Sequence, residues 1–233
     1  NELEKMICNY LNVKHTIMTT SCTAALILAF MTLELKPGDE VIVPNYTMIA
    51  SINSIKHIGL TPVIIDVNPN TFSMDINDVK KNVTSKTRAI LHVSINNRYT
   101  NLEDLALYCK EHGFYLVEDA AQSMGCSPNN KALGTYGDIG CFSLSTPKII
   151  SSGQGGYLVT NNDKLAMKIN QIKNFGRKES GKDIFEIFGI NLKYTDIQAV
   201  ITIEQMKKLD YRVKRMSEIY NFYYQELKDH IKM

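Results

Sequence analysis

Lys148 closes the run Gly140-Cys141-Phe142-Ser143-Leu144-Ser145-Thr146-Pro147-Lys148, and Gly153-Gln154-Gly155-Gly156 follows shortly after. Upstream, Val117-Glu118-Asp119 ends in two carboxylates and runs into Ala120-Ala121-Gln122. A lysine just beyond a serine-rich strand end, with an aspartate at the end of an earlier strand, is the arrangement that pyridoxal phosphate chemistry needs. The lysine binds the cofactor's aldehyde as a Schiff base, and the aspartate keeps the pyridinium nitrogen protonated. Taken singly, Lys148 reads as a solvated surface charge, as lone lysines usually are. The order and spacing of the other pieces give it weight.

Thr20-Ser21-Cys22-Thr23-Ala24-Ala25-Leu26 joins a strand pattern to a helix pattern. Small residues there let a helix N-terminus aim backbone N–H groups at a phosphate, and a plain helix cap by Ser21 or Thr23 fits the same residues. The segment is neither a Walker loop nor a three-glycine dinucleotide fingerprint. A carboxylate at the end of a buried strand is destabilising unless partnered. A protonated pyridine nitrogen is one partner for Asp119, and a helix N-cap is the other use of it. Gln122 could reach the same ligand or complete a capping box. Ser143 could bind a phosphate, while Ser145, Thr146 and Pro147 also fit turn chemistry. In Gly189-Ile190-Asn191-Leu192-Lys193-Tyr194-Thr195-Asp196, Asn191 and Lys193 are possible ligand groups, and Thr195 or Asp196 caps the next helix.

These residues need a scaffold. Strands are expected at His15–Thr19, Glu40–Val43, Thr61–Val67, Ala89–Ile95, Phe114–Glu118, Ile139–Ser143 and Gly156–Thr160. Helices are expected at Thr23–Leu35, Met48–Ile58, Ile76–Asn82, Leu102–His112, Asp163–Lys173, Thr195–Leu209 and from Arg212 to about Ile231. Leu3, Met6, Ile7, Tyr10 and Leu11 give a helical pattern at the start. This alternation predicts an α/β fold, a mostly parallel central sheet with helices on both faces. Val63-Ile64-Ile65 lacks polar alternation, which suits a strand buried on both faces. In such sheets a ligand lies beyond the carboxyl ends of the strands, where Thr19-Thr20-Ser21, Pro44-Asn45-Tyr46-Thr47, Asp119 to Gln122 and Ser143 fall. Arg177–Phe185, charged and glycine-containing, reads as a mobile loop.

Among the 233 residues, Lys+Arg number 26 and Asp+Glu 24, a net charge of +2, so neither nucleic acid nor an anionic membrane is expected as main partner. Cys8, Cys22, Cys109, Cys126 and Cys141 are an odd set without paired spacing, which argues against a disulfide framework and a zinc site, and for reduced thiols in the cytoplasm. No apolar stretch is long enough to span a bilayer and no signal peptide is read. The chain begins at Asn1 and stops at Met233 inside helical patterns, and reads as a portion of a longer polypeptide.

Taken together these segments resemble the DegT/DnrJ/StrS family of sugar aminotransferases, fold-type-I pyridoxal phosphate enzymes acting on nucleotide-linked keto-sugars. The resemblance runs over nearly the whole chain. It rests on Pro37-Gly38-Asp39-Glu40-Val41-Ile42-Val43-Pro44, Glu118-Asp119-Ala120-Ala121-Gln122, Phe142-Ser143 to Lys148, the Gly-Gly step, Asn174-Phe175-Gly176 and Asp196-Ile197-Gln198-Ala199. It implies an aspartate-aminotransferase-like large domain over 1–210, with 211–233 leading into a C-terminal small domain. It implies that Lys148 carries the cofactor and then shuttles a proton. Asp119 would contact the pyridine nitrogen, Gln122 the phenolic oxygen, and Cys22, Thr23 and Ser143 the phosphate. Asn191 would reach the phosphate of a neighbouring subunit in a homodimer. Glutamate is the implied amino donor. Where many relatives stack an aromatic ring on the cofactor, this chain has Met48, whose thioether can still pack on a ring. Gln154 stands where relatives usually have Glu. Ser94-Ile95-Asn96-Asn97-Arg98 replaces a His-Leu-Tyr-Gly stretch and is closer to members making 4-amino-4,6-dideoxy sugars such as perosamine.

The expected reaction is therefore amination of a nucleotide-linked 4-keto-6-deoxy sugar. A 3-keto-sugar aminotransferase and a non-catalytic cofactor-binding sensory domain are the alternatives. Some relatives are dehydratases with histidine at the lysine position, which Lys148 argues against. A nicotinamide oxidoreductase fails on the missing glycine fingerprint.

Overall fold

The computed structural model describes residues 2–179 and 181–230. Seven strands form one sheet: β1 (His15–Thr19), β2 (Glu40–Pro44), β3 (Thr61–Ile65), β4 (Thr87–Val93), β5 (Tyr115–Asp119), β6 (Ile139–Ser143) and β7 (Gly156–Thr160). Their order is β1-β7-β6-β5-β4-β2-β3. Only β7 runs against the rest, pairing antiparallel with both β1 and β6. The helices are α1 (Glu2–Leu11), α2 (Cys22–Thr32), α3 (Ile49–His57), α4 (Ile76–Asn82), α5 (Leu102–His112), α6 (Asp163–Lys173), α7 (Asp196–Met206) and α8 (Leu209–Leu227). The predicted mostly parallel α/β sheet is what forms. The last helix, expected to run to about Ile231, ends at Leu227, capped by Lys228.

Side chains alternate along each strand, and here both faces are covered. Ile17, Val41, Val43, Leu91, Val117, Cys141 and Leu158 meet Leu28, Ile55 and Ile169 of α2, α3 and α6 in one apolar cluster. Their strand neighbours point the other way. Met18, Phe142 and Tyr157 pack with Leu3 and Ile7 of α1 and with Met206, while Ile42, Ile90 and Leu116 pack with Val79 and Leu105. Three-layer burial of this kind, at about 25 cal/mol per Å² of apolar surface, is the main stabilising term of the fold.

One expectation is corrected. Val63-Ile64-Ile65 belongs to β3, the edge of the sheet, and Ile64 is 54% exposed. A run without alternation was read as doubly buried, but an edge strand is covered by fewer neighbours. The segment expected to be mobile has no regular secondary structure among its described residues.

Because β1, β2, β4, β5 and β6 share a direction, their carboxyl ends gather at one edge of the sheet. The turn into α2, the turn into α3, the end of β5 and the loop after β6 therefore converge.

Candidate active site

At that edge lies a cavity of about 290 Å³, lined among others by Cys22, Thr23, Met48, Asp119, Gln122, Ser143 and Lys148. Seven of the eight residues singled out from sequence thus come together. The eighth, Asn191, lies elsewhere. It is exposed, forms an isolated bridge with Asn174, and its Oδ1 accepts from the Lys193 N–H at 3.3 Å.

Asp119 ends β5 and is buried. Its Oδ2 accepts the Ser51 hydroxyl at 2.7 Å, its Oδ1 accepts the Ala121 N–H at 3.1 Å, and the Cys22 thiol lies 4.0 Å from Oδ1. Burial raises its proton affinity, opposed by the Ser51 and Ala121 hydrogen bonds and the charge of Lys148. No cation lies within ion-pair distance of it among the described residues. Ser51 in turn shares a 2.8 Å hydrogen bond with Thr47.

Glu118 faces the opposite way, as strand periodicity requires. Its carboxylate accepts three backbone N–H groups, from Gly134 at 2.8 Å, Tyr136 at 2.6 Å and Gly137 at 2.7 Å. The adjacent carboxylates are thus divided in role: Glu118 pins a loop to the strand, and Asp119 faces the cavity.

The N-terminus of α2 forms another wall. Ser21 is its N-cap, accepting the Ala24 N–H at 3.1 Å, and the Ala25 N–H returns to the Ser21 carbonyl at 3.0 Å. Of the first-turn donors, the N–H groups of Cys22 and Thr23 remain without partners among the described residues. The Cys22 thiol turns toward Asp119, so the residue offers a phosphate its backbone N–H. The thiol's own proton affinity is raised, first by burial and then by Asp119. Ser143 Oγ lies 3.1 Å from Ser145 Oγ. Gln122 Oε1 accepts the Asn96 N–H at 2.7 Å, tying the Ile95–Asn97 turn to the cavity mouth. Met48 stands beside the cavity, 62% exposed, with its sulfur accepting the Ala50 N–H at 3.0 Å at the start of α3. Lys148 is half-buried, and its amine makes no hydrogen bond or ion pair among the described residues.

These residues fit pyridoxal phosphate. A buried carboxylate lacks a counter-cation, a lysine amine lacks a partner, and two helix N–H groups are free for a dianion. Ser51 escaped the sequence reading. The available signal was Ser51 and Ser54, two serines that share the buried stripe of α3 with Ile55 at helical spacing. Among the described residues no His, Cys, Asp or Glu cluster could hold a metal ion, and no helix is long and apolar enough to cross a membrane.

Comparison with known proteins agrees. The model of the DegT/DnrJ/EryC1/StrS aminotransferase family matches residues 1–233. GDP-perosamine synthase of Caulobacter vibrioides is 35% identical over 226 residues, which cover 97% of this chain and 61% of the relative. UDP-N-acetyl-3-dehydro-alpha-D-glucosamine 3-aminotransferase of Acidithiobacillus ferrooxidans is 34% identical, over 85% of this chain and 54% of the relative. The crystal structure of NtdA from Bacillus subtilis with bound cofactor PMP superposes with a TM-score of 0.90 at 30% identity, covering 98% of this chain and 52% of that one. The chain thus spans about 61% or less of the length of these relatives. It belongs to the DegT/DnrJ/EryC1/StrS aminotransferase family.

Proposed function

We propose that this chain is the cofactor-binding portion of a pyridoxal phosphate-dependent transaminase that converts a nucleotide-linked 4-keto-6-deoxy sugar into its 4-amino product, with L-glutamate as donor. The observation that carries the reading is the convergence of Lys148, Asp119 and the free α2 N-terminus on one cavity. Residues 1–210 form its large domain, and 211–233 lead into a small domain.

When bound, pyridoxal phosphate would supply an electron sink for the bond to the donor's Cα proton. The protein's residues do the rest. The Cys22 and Thr23 N–H groups and Ser143 hold the phosphate, and Gln122 orients the phenolic side. Asp119, kept in place by Ser51 and Ala121, holds a proton on the ring nitrogen. Met48, which lines the cavity, would pack its thioether on the cofactor. The Lys148 amine, at the cavity, would take the proton from the donor's Cα as a positioned general base. Asn191, outside the cavity of its own chain, serves the phosphate of a second copy in a homodimer.

Position 4 is favoured by the relatives named GDP-perosamine synthase, while the relative named for a 3-aminotransferase supports the 3-keto alternative. The test is the visible spectrum of the purified protein before and after L-glutamate, then product identification by NMR with 4-keto and 3-keto sugar nucleotides. A yellow band that bleaches with glutamate, and a 4-amino product, are expected. Lys148→Ala is expected to stay folded and lose transamination by about a hundredfold or more. An active Lys148→Ala variant overturns the reading, and a 3-amino product moves it to the alternative.

A further inference from the structure

The loop that carries Lys148 is tied to α7 at the Gln154 carbonyl and through the Tyr194 hydroxyl. The Gln154 carbonyl accepts two hydrogen bonds, from Gln198 Nε2 at 2.7 Å and from Ser152 Oγ at 3.0 Å. Ser152 Oγ is itself held by the Tyr194 hydroxyl at 2.5 Å, and that hydroxyl lies 2.7 Å from Thr202 Oγ1. Thr202 is fully buried. The Tyr194 ring fills the space beside Gly155, where a Cβ would stand 2.6 Å from Cε2. Gln154 and Gly155 both line the cavity with Lys148, and the Gly155 carbonyl accepts the Leu144 N–H at 2.9 Å, closing the loop at its base.

Gln198 also has a local duty. Its Oε1 completes a capping box, accepting the Thr195 N–H at 3.3 Å and the Thr195 hydroxyl at 2.8 Å. Capping uses the oxygen only, and Glu serves that position as well as Gln. The Nε2 group is surplus to the cap and is spent on the Gln154 carbonyl. A glutamate here would keep the cap and set an oxygen against that carbonyl.

We propose that Gln198 and Tyr194 are positioning residues for the Lys148 loop, so that α7 sets the geometry of the cofactor site without touching the cofactor. The assignment rests on Lys148 being the cofactor lysine, yet it is tested first without cofactor, so the two readings fail separately. Hydrogen–deuterium exchange over Leu144–Gly156 is measured in cofactor-free wild type, Gln198→Glu, Tyr194→Phe and Thr195→Ala. Gln198→Glu and Tyr194→Phe are expected to speed exchange of this loop by about fivefold, the scale of one lost hydrogen bond. Thr195→Ala, which weakens the cap alone, is expected to leave the loop unchanged and lower the melting temperature. Spectroscopic titration with pyridoxal phosphate is then expected to show weaker binding in Gln198→Glu, with its melting temperature near that of wild type. Wild-type loop exchange in Gln198→Glu overturns the proposal, and so does equal acceleration in Thr195→Ala.

Discussion

Ser51 donates its hydroxyl to Oδ2 of Asp119 across 2.7 Å, from a helix that follows β2 to a carboxylate at the end of β5. The contact exists because β4 lies between β2 and β5 in the sheet, which sets the start of α3 over the end of β5. It makes the residue that faces the cavity a buried carboxyl held by neutral donors.

The direction of the Asp119 shift fixes a prediction. Burial raises its proton affinity in the folded state above the unfolded value. A carboxyl raised in this way favours folding at low pH, and that contribution is lost as pH rises through the folded value. The charged form of the group is therefore the one that the cofactor-free fold disfavours. Asp119→Asn is expected to melt no lower than wild type at neutral pH without cofactor, and to bind pyridoxal phosphate at least about tenfold more weakly for want of the ring-nitrogen charge pair. Thermal melts and spectroscopic titration check both halves. A large drop in the melting temperature of the cofactor-free variant would mean that Asp119 is a structural anchor instead.

Burial raises the proton affinity of Glu118 as well, but three backbone N–H groups oppose that rise, so its removal is expected to cost stability. Its carboxyl group satisfies two buried backbone N–H groups and a third that is half-buried, and an amide can satisfy them only in part. Glu118→Gln should lose about 2–3 kcal/mol of stability, the scale of a hydrogen bond to a charged acceptor plus an unpaired donor. Urea unfolding measures it. A loss below about 0.5 kcal/mol, the scale of an ordinary surface substitution, would remove the anchoring role.

These two neighbours show how far the sequence was legible. Strand periodicity already puts adjacent residues on opposite faces, so one of Glu118 and Asp119 had to point away from any ligand. Which one did so was settled by a loop some sixteen residues on, whose N–H groups reach Glu118. The elements themselves were readable wherever turn residues bracket a uniform run, as at His15–Thr19, Ile139–Ser143 and Asp163–Lys173. Legibility failed where the partner is distant in sequence. The Ser51 contact depends on strand order, the exposure of Ile64 on being last in the sheet, and the second bond of Gln198 on a carbonyl forty-four residues away.

His92 gives a pH signature. It is fully buried on β4, with Ser73 Oγ at 3.4 Å and Ser94 Oγ at 3.5 Å from its ring nitrogens, and burial lowers its pKa from 6.5 to about 4. A depressed histidine binds fewer protons folded than unfolded, so its contribution is whole above pH 6.5 and is lost as pH falls toward about 4. The size is about 3 kcal/mol at most, from the width of that window. Other groups titrate there too, so the measurement is a difference: unfolding free energy against pH for wild type and His92→Gln. The variant should lose less stability than wild type on acidification. Parallel curves would show that His92 stays protonated or is hydrated in the fold.

Gly156 tests the phosphate end of the site. It opens β7, directly beneath the start of α2, and a Cβ there would stand 2.4 Å from the Cys22 nitrogen and 2.4 Å from the Ser21 carbonyl carbon. Both are backbone atoms, so relief requires the α2 N-terminus to move. Gly156→Ala should therefore cost about 1–3 kcal/mol by overpacking and should also displace the two free N–H groups. The second effect can be separated from the first by comparing pyridoxal phosphate with pyridoxal, which lacks the phosphate. Wild type should prefer the phosphorylated form strongly, because a helix N-terminus with unpaired donors is a ready anion site. In Gly156→Ala that preference should shrink while binding of pyridoxal itself changes little. An unchanged preference would place the phosphate away from the α2 N-terminus, leaving Cys22 and Thr23 as an ordinary capped helix start.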